Sequence, residues 1–180
     1  MPEYRRAWVG GGTFFFTVVT YRRYPFFAEE SAIIILQRCF QIVVSESPYT
    51  MDAIVILPDH LHCIWTLPDN DSDFSTRWKL IKATFTKNYF GSKAQSVSES
   101  MRSKGERGIW QRRFWEHMIR DQEDFDRHRD YIHYNPVKHG YVSLPMEWKN
   151  SSFRDFVNSG YYPENWGQTV SKEVIAMDFE

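Results

Sequence analysis

The stretch ILPDHLHCIW, residues 56–65, limits how this chain can fold more than any other. Pro58-Asp59 is a turn signal between two apolar runs rich in β-branched residues, so residues 50–57 and 61–67 are both expected to be strands. Successive side chains of a strand point to opposite faces. Leu61, Cys63, Trp65 and Leu67 then form one wholly apolar face, which other elements must cover. His60, His62, Ile64 and Thr66 form the other, with both imidazoles on the same side.

The rest of the chain supplies what such strands need. Residues 13–20, TFFFTVVT, follow a Gly-Gly-Gly breaker and read as a first strand. Ile33, Leu36, Phe40 and Val43 recur at helical spacing within residues 29–46. Asp73 is a suitable N-cap for a second helix whose apolar stripe is Phe74, Trp78, Ile81 and Phe85. Residues 91–107 are rich in Ser, Gly and charge and are expected to be a mobile loop. A fourth strand fits residues 110–119. A helix over residues 122–134 is expected to stop at Asn135-Pro136, where the residue before proline avoids α geometry. A short helix near residues 153–157 and an irregular, acidic end follow. The order βαββαβ plus an added C-terminal helix gives an α+β, ferredoxin-like sandwich. Its first two helices cover one face of the sheet and leave the other open for a site. The domain is expected to span residues 1–160, with residues 161–180 as a tail.

Composition narrows the class. At 180 residues the chain is most simply one domain. Aromatic residues make up 17%, more than a core of this size needs, which leaves some for stacking on a partner. The formal net charge of −1 does not announce a nucleic-acid binder, but the charge is unevenly spread. Residues 74–95 carry Arg77, Lys79, Lys82, Lys87 and Lys93 with no carboxylate, and residues 102–120 are rich in arginine. Cys39 and Cys63 lack CxxC spacing, and no apolar run is long enough for a signal peptide or a membrane span. The expectation is a soluble, reduced, cytoplasmic protein.

Two imidazoles on one face of a strand can chelate a divalent cation, although hydrogen-bonded histidines on a half-exposed face are the commoner outcome for such a pair. The second component lies in DQEDFDRHRDYIHYNPVKHG, residues 121–140. On a helical wheel Asp124, His128, Tyr131 and Asn135 share one sector beside the buried stripe of Phe125 and Ile132. Tyr131 and Asn135, at i and i+4, project side by side. A cation held by two imidazoles and an amide oxygen keeps open positions, where a phosphodiester can be polarised while the Tyr131 phenol attacks phosphorus. The products would be a phosphotyrosine and a free hydroxyl, which is strand transfer rather than hydrolysis.

With these residues in view, the blocks EYRRAWVGGGTFFFTV, ILPDHLHCIWTLP, DFSTRWKLIK, IWQRRFWEHMIRDQEDF, DYIHYNPVKHGYV and WKNSSFRDFV resemble the REP-associated tyrosine transposases, single-tyrosine members of the HUH superfamily. The resemblance implies a ferredoxin-like (RRM-like) HUH endonuclease fold, His60 and His62 as metal ligands, and Tyr131 as the nucleophile that becomes linked to a 5′ phosphate. It implies Mg²⁺ or Mn²⁺ as the cation. Related insertion-sequence enzymes carry Gln where Asn135 stands, one methylene longer. The implied partner is single-stranded DNA folded into hairpins at REP-like palindromes, bound by a monomer. Imidazole ligands favour Mn²⁺ over Mg²⁺, so Mn²⁺ is expected to serve at least as well. Arg77, Lys79 and Lys82 on the second helix and Arg112 and Arg113 among interleaved aromatics are candidate DNA contacts, as are Arg5 and Arg6. The acidic tail after Phe156 is expected to fold over the site and compete with DNA. A nucleic-acid-binding module on the same fold without catalysis, or a hydrolase that uses water, would leave Tyr131 merely structural.

Overall fold

Four strands pair into an antiparallel sheet whose two central strands are buried on both faces. A computed structural model of the chain describes residues 10–89, 97–168, 170 and 172–179. Its elements are β1 (Thr13–Val19), α1 (Glu30–Glu46), β2 (Thr50–Ile56), β3 (His60–Thr66), α2 (Phe74–Asn88), α3 (Glu99–Ser103), β4 (Trp115–Met118), α4 (Gln122–Lys138), α5 (Phe153–Asn158) and α6 (Lys172–Ala176). The strands lie in the order β2-β3-β1-β4. β1 pairs antiparallel with both β3 and β4, and Thr17 stands opposite His62, Val19 opposite His60.

Phe14, Phe16 and Val18 of β1 and Leu61, Cys63 and Trp65 of β3 face α1 and α2. Trp65 stacks on Trp78 at 4.3 Å between ring centroids and on Tyr49 at 4.2 Å. Removing such a buried indole costs about 3–5 kcal/mol, so these stacks anchor the helical layer. Phe15, Ala53, Val55 and Ile64 point the other way and meet Tyr131 and Ile132 of α4 and Val174 of α6. The second face is therefore covered by α4 and the C-terminal segment, where the sequence pattern had left it open. His60 and His62 are fully buried in consequence.

Three further boundaries differ from expectation. Within residues 97–107 a helical turn, α3, forms with Ser98 as its cap and Met101 buried; residues 90–96 lie outside the described set. β4 is confined to Trp115–Met118, and Trp110 makes only an isolated bridge to Thr20. α4 runs through Pro136 to Lys138. Proline removes one backbone donor, but here the loss falls in the last turn. His139 N–H bonds the Asn135 carbonyl, Gly140 N–H that of Val137, and Gly140 at φ 71° ends the helix.

α4 is clamped to α5 by a polar cluster. His133 is fully buried; its Nε2 bonds Ser152 Oγ at 3.0 Å, and Ser152 Oγ also accepts from Ile54 N–H. Burial, reinforced by the nearby Arg129 charge, pushes the His133 imidazole down to about 3. Below pH 6.5 an unfolded chain takes up a proton at His133 that the folded form refuses, so stability falls with pH, by up to about 1.4 kcal/mol per unit. Denaturant melts from pH 7 to pH 4 should show this slope, shallower in His133→Gln. Parallel slopes in the two proteins would rule out His133 as the cause.

Candidate active site

β3 presents both histidines toward α4, and their neighbours orient them. Asp59, at the turn, holds His60 Nδ1 at 2.6 Å. Thr17, opposite His62 in the β1–β3 register, holds His62 Nδ1 at 2.8 Å. Engagement of Nδ1 by an oxygen fixes each ring and leaves Nε2 as the nitrogen that could meet a metal ion, an arrangement common around metal-bound histidines. The two rings meet at 4.9 Å between centroids.

From α4, successive i+4 positions supply Tyr131, Asn135 and His139. Because the helix continues past Asn135, these three share one stripe. Tyr131 packs on His62 at 5.2 Å and His139 on His60 at 5.2 Å, so Asn135 lies between them on the side facing the histidine pair. Asn135 is fully buried, and neither Oδ1 nor Nδ2 has a hydrogen-bond partner among the described residues. Leaving both ends of an amide unsatisfied costs a few kcal/mol, and a cation accepting Oδ1 would offset it. The donor set of two imidazoles and an amide therefore fits a divalent metal.

The Tyr131 hydroxyl is within 3.5 Å of Lys138 Nζ, which also sits 5.0 Å from its ring centroid. The Lys138 ammonium thus lies against both the oxygen and the ring face of this phenol. The C-terminal segment closes over this corner. Lys138 Nζ donates to the Met177 carbonyl at 3.0 Å, and Phe179 N–H donates to the Tyr131 hydroxyl at 3.5 Å. The Phe179 ring stacks on Trp115 and His128 and meets Tyr131 edge-on at 5.2 Å. Asp59, Thr17 and Lys138 had no signal in the sequence beyond their places beside His60, in β1 and after Tyr131.

His117, Asp124 and His128 form a second group with metal-ligating atoms within 4.8 Å of one another. Burial pushes the Asp124 carboxyl up, but hydrogen bonds from His117 and Arg120 outweigh it and hold the group well below the usual carboxylate range. Arg120 Nε at 3.2 Å and an Arg127 nitrogen at 3.7 Å already neutralise that carboxylate. A dication would have to displace two guanidiniums here, whereas the Asn135 amide has nothing to displace. The group ties β4 to α4.

The candidate DNA contacts separate into distinct classes. Arg5 and Arg6 lie outside the described residues. Arg77 is buried, contrary to expectation: its guanidinium donates to Asp71 through both terminal nitrogens and to the Ser47, Pro48 and Asp73 carbonyls, which uses every N–H it has. It pins α2 to the loops before it. Arg77→Met should cost about 3 kcal/mol of stability, read by denaturant melting, with no change in the salt dependence of DNA binding. Lys79 and Arg113 are exposed, Arg112 pairs with Glu106 at 2.8 Å, and Lys82 lies over the rings of Trp110 and Phe114.

No protein-family model matches the chain. Individual relatives do. A protein of Escherichia coli (strain K12), the REP-associated tyrosine transposase, is 41% identical over 172 residues, 95% of this chain and 94% of that protein. A Haemophilus influenzae (strain ATCC 51907 / DSM 11121 / KW20 / Rd) relative carrying the same family name is 40% identical, over 93% of this chain and 94% of its own. A solved structure of the REP-associated tyrosine transposase bound to a REP hairpin superposes with a TM-score of 0.77 at 40% identity, covering 96% of this chain and 94% of that one. Identity at this level along nearly the whole length is decisive: the chain belongs to the REP-associated tyrosine transposases.

Proposed function

We propose that this chain is a transposase that cleaves and rejoins single-stranded DNA at REP-type hairpins through a 5′-phosphotyrosine at Tyr131, on a ferredoxin-like βαββαβ frame. The strand order β2-β3-β1-β4, with the two hairpin strands β2 and β3 at one side, supports that frame. The solved relative's hairpin supports the substrate class. The observation that carries the reaction is the facing of Tyr131 and Asn135 on α4 toward His62 and His60 on β3, with the Asn135 amide buried and without a partner among the described residues.

Attack by the Tyr131 oxygen on phosphorus forms the Oη–P bond and breaks the P–O3′ bond. The proton lost at Oη balances the proton gained by the leaving 3′-hydroxyl. Lys138 stabilises the phenolate before attack, and Phe15 and His62 hold the ring in line. His60, His62 and Asn135 would hold a divalent cation that supplies Lewis acidity at the scissile phosphodiester. Asn135 reaches less far than the longer Gln of related enzymes, and its helical position beside the histidines is what makes it a usable ligand.

The test is incubation with hairpin DNA from the flanks of the protein's own gene, in Mn²⁺ and in Mg²⁺, using the full chain and a form lacking residues 177–180. A protein–DNA adduct that survives denaturation is expected, with Mn²⁺ at least as effective. Hairpin binding with no adduct in any arm would reduce the protein to a binding module.

A further inference from the structure

We propose that the cavity between α2 and residues 105–114, across the sheet from Tyr131, binds an unpaired nucleotide of single-stranded DNA; this rests on the DNA reading above. The cavity has a volume of about 640 Å³, within the range of small-ligand sites. Its floor is apolar and aromatic: Trp78, Ile109, Trp110 and Phe114. Its rim is basic, with Lys79, Lys87 and Arg107. Glu106 is the one acid among the lining residues, and Arg112 already takes it at 2.8 Å.

Two groups inside the cavity lack what a nucleotide would bring. The Lys82 ammonium lies 5.5 Å from the Phe114 centroid and 5.9 Å from that of Trp110. Its hydrogen bond goes to a neutral group, the Gln111 carbonyl at 2.9 Å, and no carboxylate pairs with it among the described residues. Burial alone pushes it down to about 8, as expected of a cation without an anion beside it. The Trp110 indole N–H, in a residue nine-tenths buried, has no acceptor among the described residues. A phosphate would answer the first, and a base carbonyl the second. An acidic peptide or an inorganic anion would satisfy the lysines but leave the aromatic floor unused, whereas a base can stack there.

Phe14 and Phe16 of β1 pack on the α2 side of the sheet and Phe15 on the Tyr131 side. A strand held at this cavity would reach the nucleophile past the adjoining β4 edge. Arg113 and Arg120, both exposed, flank that edge. The cavity would thus anchor one end of a single-stranded segment whose other end meets Tyr131.

The full chain should be titrated with fluorescein-labelled dT6 and with an abasic hexamer of the same phosphate count, by anisotropy at low salt. The wild type is expected to prefer dT6 by about 10-fold. Lys82→Met, which keeps the aliphatic stem, should weaken dT6 by about 10-fold. Trp110→Phe, which keeps a ring but removes the N–H, should weaken it by about 3-fold with the melting temperature little changed. Equal binding of dT6 and the abasic hexamer would overturn the proposal in favour of a bare anion groove. Unchanged dT6 affinity in a folded Trp110→Phe or Lys82→Met protein would place the strand elsewhere. A protein that forms the hairpin adduct yet ignores dT6 keeps its proposed reaction and loses this site. One that binds dT6 here but forms no adduct keeps the site and loses the reaction.

Discussion

Tyr131→Phe is expected to abolish covalent capture of hairpin DNA, a fall of at least about 10⁴-fold, while hairpin affinity stays within about twofold. The substitution removes a single oxygen from a side chain only 1% exposed. The ring keeps its contacts with His62, Phe15 and Phe179, so the corner should not collapse. The hydroxyl's neighbours are Lys138 and the tail, and Lys138 retains its bond to the Met177 carbonyl. Stability should therefore change little, and a denaturing gel separates the outcomes. Loss of both adduct and cleavage supports the nucleophile. Cleavage persisting without an adduct would mean that water attacks and that the site is a hydrolase. His60→Ala and His62→Ala should abolish cleavage as well while sparing binding. Both rings are fully buried, so a melting curve must accompany them, and loss of binding there would indicate a role in the fold.

How far the site was legible in the sequence depended on the range of the forces involved. The period of two in HLHCIWT sorted Leu61, Cys63 and Trp65 from His60 and His62 correctly, because pleating alone dictates the faces. Helical spacing likewise put Tyr131 and Asn135 on one stripe, and Asp73 marked the start of α2, where its side chain accepts from Thr76 N–H. What failed was non-local. Pro136 is a helix breaker by local rule, yet packing of α4 on the sheet and the bonds of His139 and Gly140 carry the helix past it. Arg77 belongs by composition to a basic face, but Asp71 and three backbone carbonyls draw it inward. Thr17 reaches His62 only through the β1–β3 register, forty-five positions away in sequence. No single-residue pattern announces such a partner.

In the tail, local and distant interactions meet over Tyr131. Deleting residues 177–180, or Phe179→Ala, is expected to raise the rate of adduct formation by about 10-fold. The tail and the DNA would compete for one corner of the protein. Phe179 occupies the space bounded by Phe15, Trp115, His128 and Tyr131, and it is half-buried there. Partial burial of a phenyl ring stabilises the closed arrangement by roughly 1.5 kcal/mol, and DNA that enters this corner as proposed would have to overcome that amount. An energy of this size corresponds to about a tenfold change in the accessible population. The Lys138–Asp178 pair at 3.5 Å adds little, because Asp178 is largely exposed. Its loss should nonetheless free the Lys138 ammonium to face the phosphate or the phenolate instead of the Met177 carbonyl. α6 must stay in these variants, since Val174 is buried against the sheet and removing it would confuse release with unfolding. Unchanged rates in both variants, with hairpin affinity also unchanged, would show that the tail rests on the site without governing it.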